Sequence, residues 1–564
     1  MPVTPRDGGR WRRVFARNET DRDVQSFDYV IVGAGSSGSA LAARLSEDAN
    51  TTVLLLEAGG AGRHPWLRVP IGYGKVFYDA RFNWKYTTEP EPNLGGRAIY
   101  WPRGKVLGGS SAINAMVWVR GHPTDFDDWA QVAPGWGWSD VEPVFRRMED
   151  WQGRPDPARG TGGPVGIRDV SEAMHPLDHA YLRAAGQAGL AQNPDYNGAR
   201  MEGAGFYQIT TRDGFRACAA RSYLGPARAR RNLAIRTRAM ATRVLFQGRR
   251  ATGVEYVSGK RRQRVTARRE VILCGGAINS PQLLQLSGVG PGELLRDMGI
   301  EVVADLPAVG RNLMDHLSMD LLFAATRPSL NQVLRPLAGK LRAGLRYALT
   351  RQGPLGMSLN HGGGFLRLSD GAGAPDIQLY FSPLSYHRAP TGKRPLMSPD
   401  PFAAFRLGFG PCKPTSRGRL AIRSPDPGTP PEMRPGYLAT EEDCRMMIEG
   451  IRLVRRIAAT PALQAVTQRE LAPGPEVASD AAMLEFARTD ASTVFHQCGT
   501  CRMSRARENA VVDHRLRVHG IEGLRVADAS IFPGIPSGNT NAPAIMVGEK
   551  ASDIIREDSR REGA

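Results

Sequence analysis

Long hydrophobic runs are missing from this chain. None approaches the roughly 20 apolar residues that a helix needs to cross a bilayer, so no transmembrane segment is expected. Cysteine is scarce: six residues (Cys218, Cys274, Cys412, Cys444, Cys498, Cys501) among 564 do not make a disulfide framework. Residues 1–26 are rich in arginine and acids but lack an apolar stretch. No secretory signal is visible there, and the segment reads as a flexible basic leader. The cytoplasm is the expected compartment, with peripheral membrane association as an option. Basic runs interleaved with aromatics are also absent, so the net charge of +18 does not carry a nucleic-acid reading. Arginine far outnumbers lysine and alanine is abundant, which points to a GC-rich coding sequence rather than to a polyanion partner. The charge disfavours a cationic substrate.

What is present suffices for a large core, with 41% hydrophobic residues, and for many loops, with 64 glycines and 41 prolines. The chain is organised around Phe27–Gly60. A short apolar run, Tyr29–Val32, has the length of a buried parallel strand. Gly33, Gly35 and Gly38 follow as G-x-G-x-x-G, then the small-residue helix Ser39–Leu45. A second run, Val53–Leu56, ends in Glu57. Each piece suits a dinucleotide: Gly33 for the tight turn, Gly35 for close approach to the pyrophosphate, Gly38 for helix–strand packing. The helix N-terminus favours the phosphates, and Glu57 would accept from a ribose 2′-hydroxyl.

Further along, Lys105–Ser111 is rich in glycine and serine, so backbone amides there can lie against a flat ligand. The GxGxxG unit with Glu57, followed by PRGKVLGGSSAIN, resembles the glucose–methanol–choline (GMC) family of FAD-dependent alcohol oxidoreductases. Three later stretches agree: Cys274–Pro291 (CGGAINSPQLLQLSGVGP) with Val309–His316 (VGRNLMDH), Val494–Met503 (VFHQCGTCRM), and Leu524–Gly548. The resemblance runs from Phe27 to about Ile555.

The resemblance implies a mixed α/β fold, with a Rossmann-like FAD-binding domain beside a substrate-binding domain that carries an antiparallel sheet. The FAD domain would be discontinuous, over 27–138, 205–318 and 493–555, and the substrate domain would take 139–204 and 319–492. The sequence agrees in part. Asn232–Leu273 alternates like strands, with Lys260–Arg269 as a hairpin edge, and Asp376–Phe381 and Arg419–Arg423 read as strands of the second sheet. Proline-rich stretches at Arg388–Pro401 and Ser424–Pro435 read as turns.

Oxidising an alcohol removes a hydroxyl proton and a hydride from one carbon, and histidine is the usual base near neutral pH. Composition cannot choose among ten histidines. The resemblance can: His496, in F-H-x-x-G-T-C-x-M, stands where the family keeps its catalytic histidine. The family's second partner, His or Asn, falls on Asn541 in the run NTNAP, whose amide would hold the developing alkoxide. Asn there is similar to the choline-dehydrogenase branch. The hydride would pass to flavin N5. By the same resemblance the cofactor would be held by Gly33, Gly35, Ser36, Ser37, Gly38, Glu57, Ala58, Val106, Gly109, Asn114, Ala115, Met116, Val117, Val244, Asp528, Ala529 and Ala542. Some relatives bind FAD covalently through a histidine, but the matching position here is Ile113, so non-covalent FAD is expected. Phe495, Asn360 and His361 are candidate pocket residues. Cys498 and Cys501 have C-x-x-C spacing, yet no further ligands stand at zinc spacing and no metal is expected.

The resulting expectation is an FAD-dependent oxidoreductase of a primary, uncharged, apolar or aromatic alcohol. Its electrons would go to O2 or a quinone-like acceptor, with the oxidase as the working reading. The alternative is an FAD-containing hydroxynitrile lyase using His496 as acid and base. Oligomeric state is left open. Leu337, Leu341, Leu345 and Leu349 recur every four residues among basic residues. That spacing suits a membrane-surface or lid helix, but packing of the leucines on their own domain is the reading adopted.

Overall fold

Strand β1 (Gln25–Val32) and strand β2 (Val53–Glu57) run parallel, joined through helix α1 (Ser36–Leu45). The coordinates, a computed structural model, describe residues 24–368, 373–386 and 398–562. Most of the leader expected over 1–26 and residues 388–397 of the expected turn lie outside them. All of β2 and the last five residues of β1 are buried, as strands covered on both faces must be. Gly33 takes φ +103, and a Cβ there would sit 2.4 Å from the Cys274 carbonyl oxygen. A Cβ on Gly38 would sit 2.0 Å from the Gly33 oxygen, so α1 packs on β1 only because both are glycine.

Around this unit a sheet assembles from β3 (Leu233–Thr237), β4 (Ala239–Gln247), β5 (Arg250–Ser258), β6 (Arg261–Leu273) and β7 (Leu524–Val526). The order is β3-β2-β1-β6-β5-β4, with β7 pairing beside β6. β3, β2, β1, β6 and β7 pair in parallel, while β4 and β5 are antiparallel additions. Lys260–Arg269 does form one side of a hairpin, but only its first part is an edge: residues 261–264 pair with β5 alone, whereas β6 from Val265 on also pairs with β1.

A second sheet is antiparallel, in the order Thr467–Ala472, Leu317–Ala325, Ala404–Pro411, Ile377–Ser382, Gly362–Leu366, Gly203–Phe206. The division expected between residues 204 and 205 thus falls inside a strand. Arg419–Ala421 does not join this sheet but pairs with Glu432–Arg434 in a two-stranded ribbon. Helix Glu441–Ala458 covers the sheet, with Gly450 so close that a Cβ would lie 2.0 Å from the Phe409 ring.

Helix α2 (Leu337–Thr350) reverses the expected packing of its leucines. Only Ala343 and Tyr347 are buried, whereas Leu337, Leu341, Leu345 and Leu349 are 62–76% exposed. The last helix, α3 (Asn541–Glu562), lies along α1: a Cβ on Gly548 would be 2.3 Å from the Ser37 carbonyl oxygen. Buried Glu549 on α3 pairs with Arg44 at 2.9 Å and Arg147 at 3.1 Å. A hydrogen bond from Ser36 Oγ to Asn541 Oδ1 at 2.8 Å joins the start of α3 to the start of α1. Among the described residues no helix is long and apolar enough to cross a membrane.

Candidate active site

A cavity of about 670 Å³ extends from the start of α1 to the base of the second sheet. One end is lined by Gly33, Gly35, Ser36, Ser37, Glu57 and Ala58. Gly35 caps α1 without any side-chain acceptor, and a Cβ built on it would meet nothing within 4 Å. The first-turn N–H groups therefore face open space, the arrangement a pyrophosphate needs. Glu57 accepts from Ala34 N at 3.0 Å and Gly59 N at 2.7 Å, and burial still raises its pKa to about 7. Gly109, Asn114, Ala115, Met116 and Val117 line the middle, with Asp528 and Ala529 opposite. Asp528 accepts from Gly276 N at 2.8 Å and Ser280 Oγ at 2.6 Å, so its carboxylate organises the wall rather than reaching inward. An uncapped helix start, an acid beneath it and a long slot of backbone amides fit FAD. Ile113 also lines the cavity and offers no nucleophile for a covalent link.

Five expected residues stand off the cavity wall. Gly38 is consumed by helix–strand packing. Val106 is buried in an apolar cluster with Leu67, Val76, Ala112, Ile113 and Cys218. The Val244 amide donates to Ser287 Oγ at 2.9 Å, and the part of β4 that reaches the cavity is Ala239–Ala241. Ala542 is buried, while Thr540, Asn541 and Ala544 reach the space. The His361 ring turns into the protein, its Nδ1 2.8 Å from Asp178, leaving only Asn360 of that pair at the wall.

At the other end stands His496, stitched in place by the segment Met314–His316. Met314 and Cys498 exchange main-chain hydrogen bonds at 3.0 Å in each direction. Asp315 accepts the His496 amide at 2.8 Å and Gln497 Nε2 at 2.7 Å, along with the Thr493 and Tyr437 hydroxyls. The His316 ring then meets the His496 ring, Nδ1 to Nδ1 at 2.9 Å.

The hydrogen positions in this chain of rings follow from one fixed point. His316 Nε2 lies 2.9 Å from the Cys412 carbonyl oxygen, which can only accept, so Nε2 carries a proton. Neutral His316 then has a bare Nδ1, and His496 must donate to it from its own Nδ1. That leaves the lone pair of His496 on Nε2, which accepts from Asn539 Nδ2 at 3.1 Å. Both rings are buried, and burial lowers both pKa values: His316 to about 4, His496 well below 6.5 with help from His316 and half-buried Arg103. His496 is thus a neutral base whose one Nε2 lone pair holds the Asn539 N–H at the cavity wall.

The amide partner is Asn539, a correction of two residues. Asn541 opens α3, and its Oδ1 accepts from Ser36 Oγ at 2.8 Å, tying α3 to α1. Its side chain is thus held by Ser36, whereas Asn539, on the preceding loop, is the one bonded to His496. Gln378 Nε2 donates to Asn539 Oδ1 at 3.2 Å, which turns the Asn539 N–H toward His496. Phe495 lines the cavity at φ +69, with its ring 5.5 Å from Phe77. A bulky residue in that region is strained, and the strain sits beside the base.

Arg216 is a further residue that sequence reasoning missed. It is buried and donates to the Asn114 carbonyl at 2.7 Å and Asn114 Oδ1 at 2.9 Å, clamping the loop in which Met116 takes φ +66. Burial lowers its pKa to about 10. Cys498 and Cys501 are buried free thiols, both pushed up by burial, so neither is a thiolate nucleophile. Among the described residues no group of three His, Cys, Asp or Glu is placed to hold a metal.

Two GMC oxidoreductase models match the chain, over residues 27–318 and 414–548. The chain is 41% identical over 530 residues to oxygen-dependent choline dehydrogenase of Brucella ovis, covering 94% of this chain and 95% of that protein. It is 42% identical over 543 residues to mitochondrial choline dehydrogenase of Homo sapiens, covering 94% and 90%. Among solved structures, pyridoxine 4-oxidase from Mesorbium loti superposes with a TM-score of 0.84 at 33% identity, covering 94% of this chain and 99% of that one. The chain belongs to the GMC oxidoreductase family and is an FAD-dependent alcohol oxidoreductase.

Proposed function

From that membership we propose that this enzyme oxidises the CH–OH group of a primary alcohol to the aldehyde, with His496 Nε2 taking the hydroxyl proton. The observation that carries this is the proton order from Cys412 through His316 to His496, which fixes a bare Nε2 beside an N–H of Asn539. A hydroxyl that displaces the Asn539 N–H from Nε2 donates to Nε2 and accepts from the freed amide, so proton removal and alkoxide stabilisation act on one oxygen. Bound FAD, held non-covalently along the slot, supplies the acceptor for the hydride.

The substrate body is uncharged and apolar or aromatic. Tyr73, Phe77, Tyr380, Tyr386 and Phe495 wall the cavity. Arg103 lines the same cavity, donating to the Phe495 carbonyl and Gln497 Oε1, and its positive charge disfavours a cationic substrate. The 41–42% identity to choline dehydrogenases favours a second reading, a quaternary ammonium alcohol held by the same aromatic walls. Electrons leave to O2 or to a quinone-like acceptor.

Anaerobic stopped-flow absorbance with benzylic, aliphatic and cationic alcohols tests this, followed by mixing with O2. Bleaching of the flavin by benzylic or aliphatic alcohols is expected. Choline as the fastest substrate would overturn the uncharged reading, and no bleaching with any alcohol would overturn alcohol oxidation. The O2 step separates oxidase from dehydrogenase.

A further inference from the structure

Helix α2 exposes four leucines that its own fold leaves uncovered. Leu337 is 73% exposed, Leu341 65%, Leu345 62% and Leu349 76%. At 3.6 residues per turn, positions four apart drift by about 40°, so the leucines spread over a sector of about 120°. Exposed Ala338 and Ala348 fall in the same sector. Opposite it, Ala343 and Tyr347 pack inward, and the Tyr347 hydroxyl donates to the Gly214 carbonyl at 2.7 Å. Soluble surfaces rarely keep so contiguous an apolar strip without a partner.

The charges around the strip select the partner. Arg342 and Arg346 border the leucine sector on one flank and Lys340 on the other, all exposed. No Asp or Glu occurs between Asp320 and Asp370. Two copies of this face would bring like charges together, which disfavours a self-dimer. An apolar strip edged by cations instead matches a bilayer bearing anionic headgroups, with leucines in the acyl boundary and cations at the phosphates. The inner face of α2 shares an apolar cluster with Tyr73 and Leu359, which line the active cavity. The strip therefore lies directly over the cavity wall.

We propose that α2, with its exposed row Leu337, Leu341, Leu345 and Leu349 between Lys340 and Arg342/Arg346, docks the enzyme peripherally on an anionic lipid surface. The helix lies in the plane of the interface and does not cross it.

The test is co-sedimentation of the FAD-loaded enzyme with phosphatidylcholine vesicles, with and without phosphatidylserine. Wild type is expected on the phosphatidylserine vesicles, with retention reduced by salt. The variant L337S/L341S/L345S/L349S should bind at least about 100-fold more weakly. The variant K340Q/R342Q/R346Q should lose roughly fivefold per charge removed on the anionic vesicles. Both variants should keep their flavin absorbance and their turnover of a soluble alcohol, which separates lost docking from lost folding. Absence of wild-type retention would overturn the proposal, as would retention unchanged in the leucine variant. A leucine-dependent dimer by light scattering, without vesicle binding, would assign the strip to a second copy instead.

Discussion

His316 and His496 meet Nδ1 to Nδ1 at 2.9 Å, their rings at 87° to one another. Two imidazole Nδ1 atoms can bond only if one carries a proton and the other does not. The Cys412 carbonyl settles which by demanding a proton on His316 Nε2. The role of His316 is therefore to position a tautomer: it keeps the His496 proton on the far nitrogen and the lone pair toward the alcohol.

Removing that constraint should cost rate without removing the base. His316→Ala leaves the His496 Nδ1 proton without an acceptor, so either tautomer can form. We expect kcat to fall about 100-fold with KM nearly unchanged; a misplaced tautomer has cost far more in the serine-protease triad. Stopped-flow rates of flavin reduction measure this. An unchanged reduction rate would show that the ring contact is structural only.

His496→Ala should lower kcat/KM by roughly 10²–10⁴-fold, the range typical of losing a general base. FAD should remain bound, because the residues suited to the nucleotide stand at the opposite end of the cavity. Near-normal turnover would mean that another group takes the proton.

The two asparagines should separate by phenotype. Asn539→Ala removes the amide beside His496 Nε2 and should lower kcat about 10²–10³-fold, as loss of one oxyanion donor does. Asn541→Ala removes the acceptor of Ser36 Oγ and should cost about 1 kcal/mol of stability with less than a tenfold change in rate. Steady-state kinetics and urea unfolding of both variants check the pair. The reverse pattern would return the catalytic amide to Asn541.

The Asn541 assignment shows where the sequence stopped being readable. The motif NTNAP holds two asparagines, and one-dimensional spacing does not say which lies on the loop and which begins α3. Only the packing of α3 against α1 decides it. The nucleotide unit was legible because most of its determinants are local: Gly38 packs on Gly33 and the acid ends β2 within one strand–helix–strand unit, although Gly33 also makes room for Cys274. His316 was visible in VGRNLMDH but had no readable role, because its partners lie 180 and 96 residues away. Arg216 had no signal at all, since an arginine bonded to carbonyls instead of carboxylates leaves no charge pattern. The leucine row on α2 was seen and its direction inverted: periodicity gives the stripe, but not which side the protein covers.

The buried histidine pair should also appear in the pH dependence of stability. Burial holds His316 at about 4 in the folded protein, against the ordinary histidine value of 6.5. Between those values the unfolded chain binds a proton that the folded chain refuses, so stability rises with pH. The contribution of neutral His316 is fully present above about pH 6.5 and is lost as pH falls toward 4. Glu57, raised to about 7, works in the opposite sense and loses stability as pH rises from 4.5 to 7, so the total curve mixes the two. The difference between wild type and His316→Gln removes the Glu57 contribution, which is common to both, and leaves that of the histidine pair. That variant should be destabilised at pH 7, where the polar pairing is lost, and its deficit should shrink by about 2 kcal/mol at pH 5. Urea unfolding followed by tryptophan fluorescence at the two pH values measures the change. A gap of equal size at both would mean that His316 titrates as it does in the unfolded chain, and the fixed proton order at His496 would fall with it.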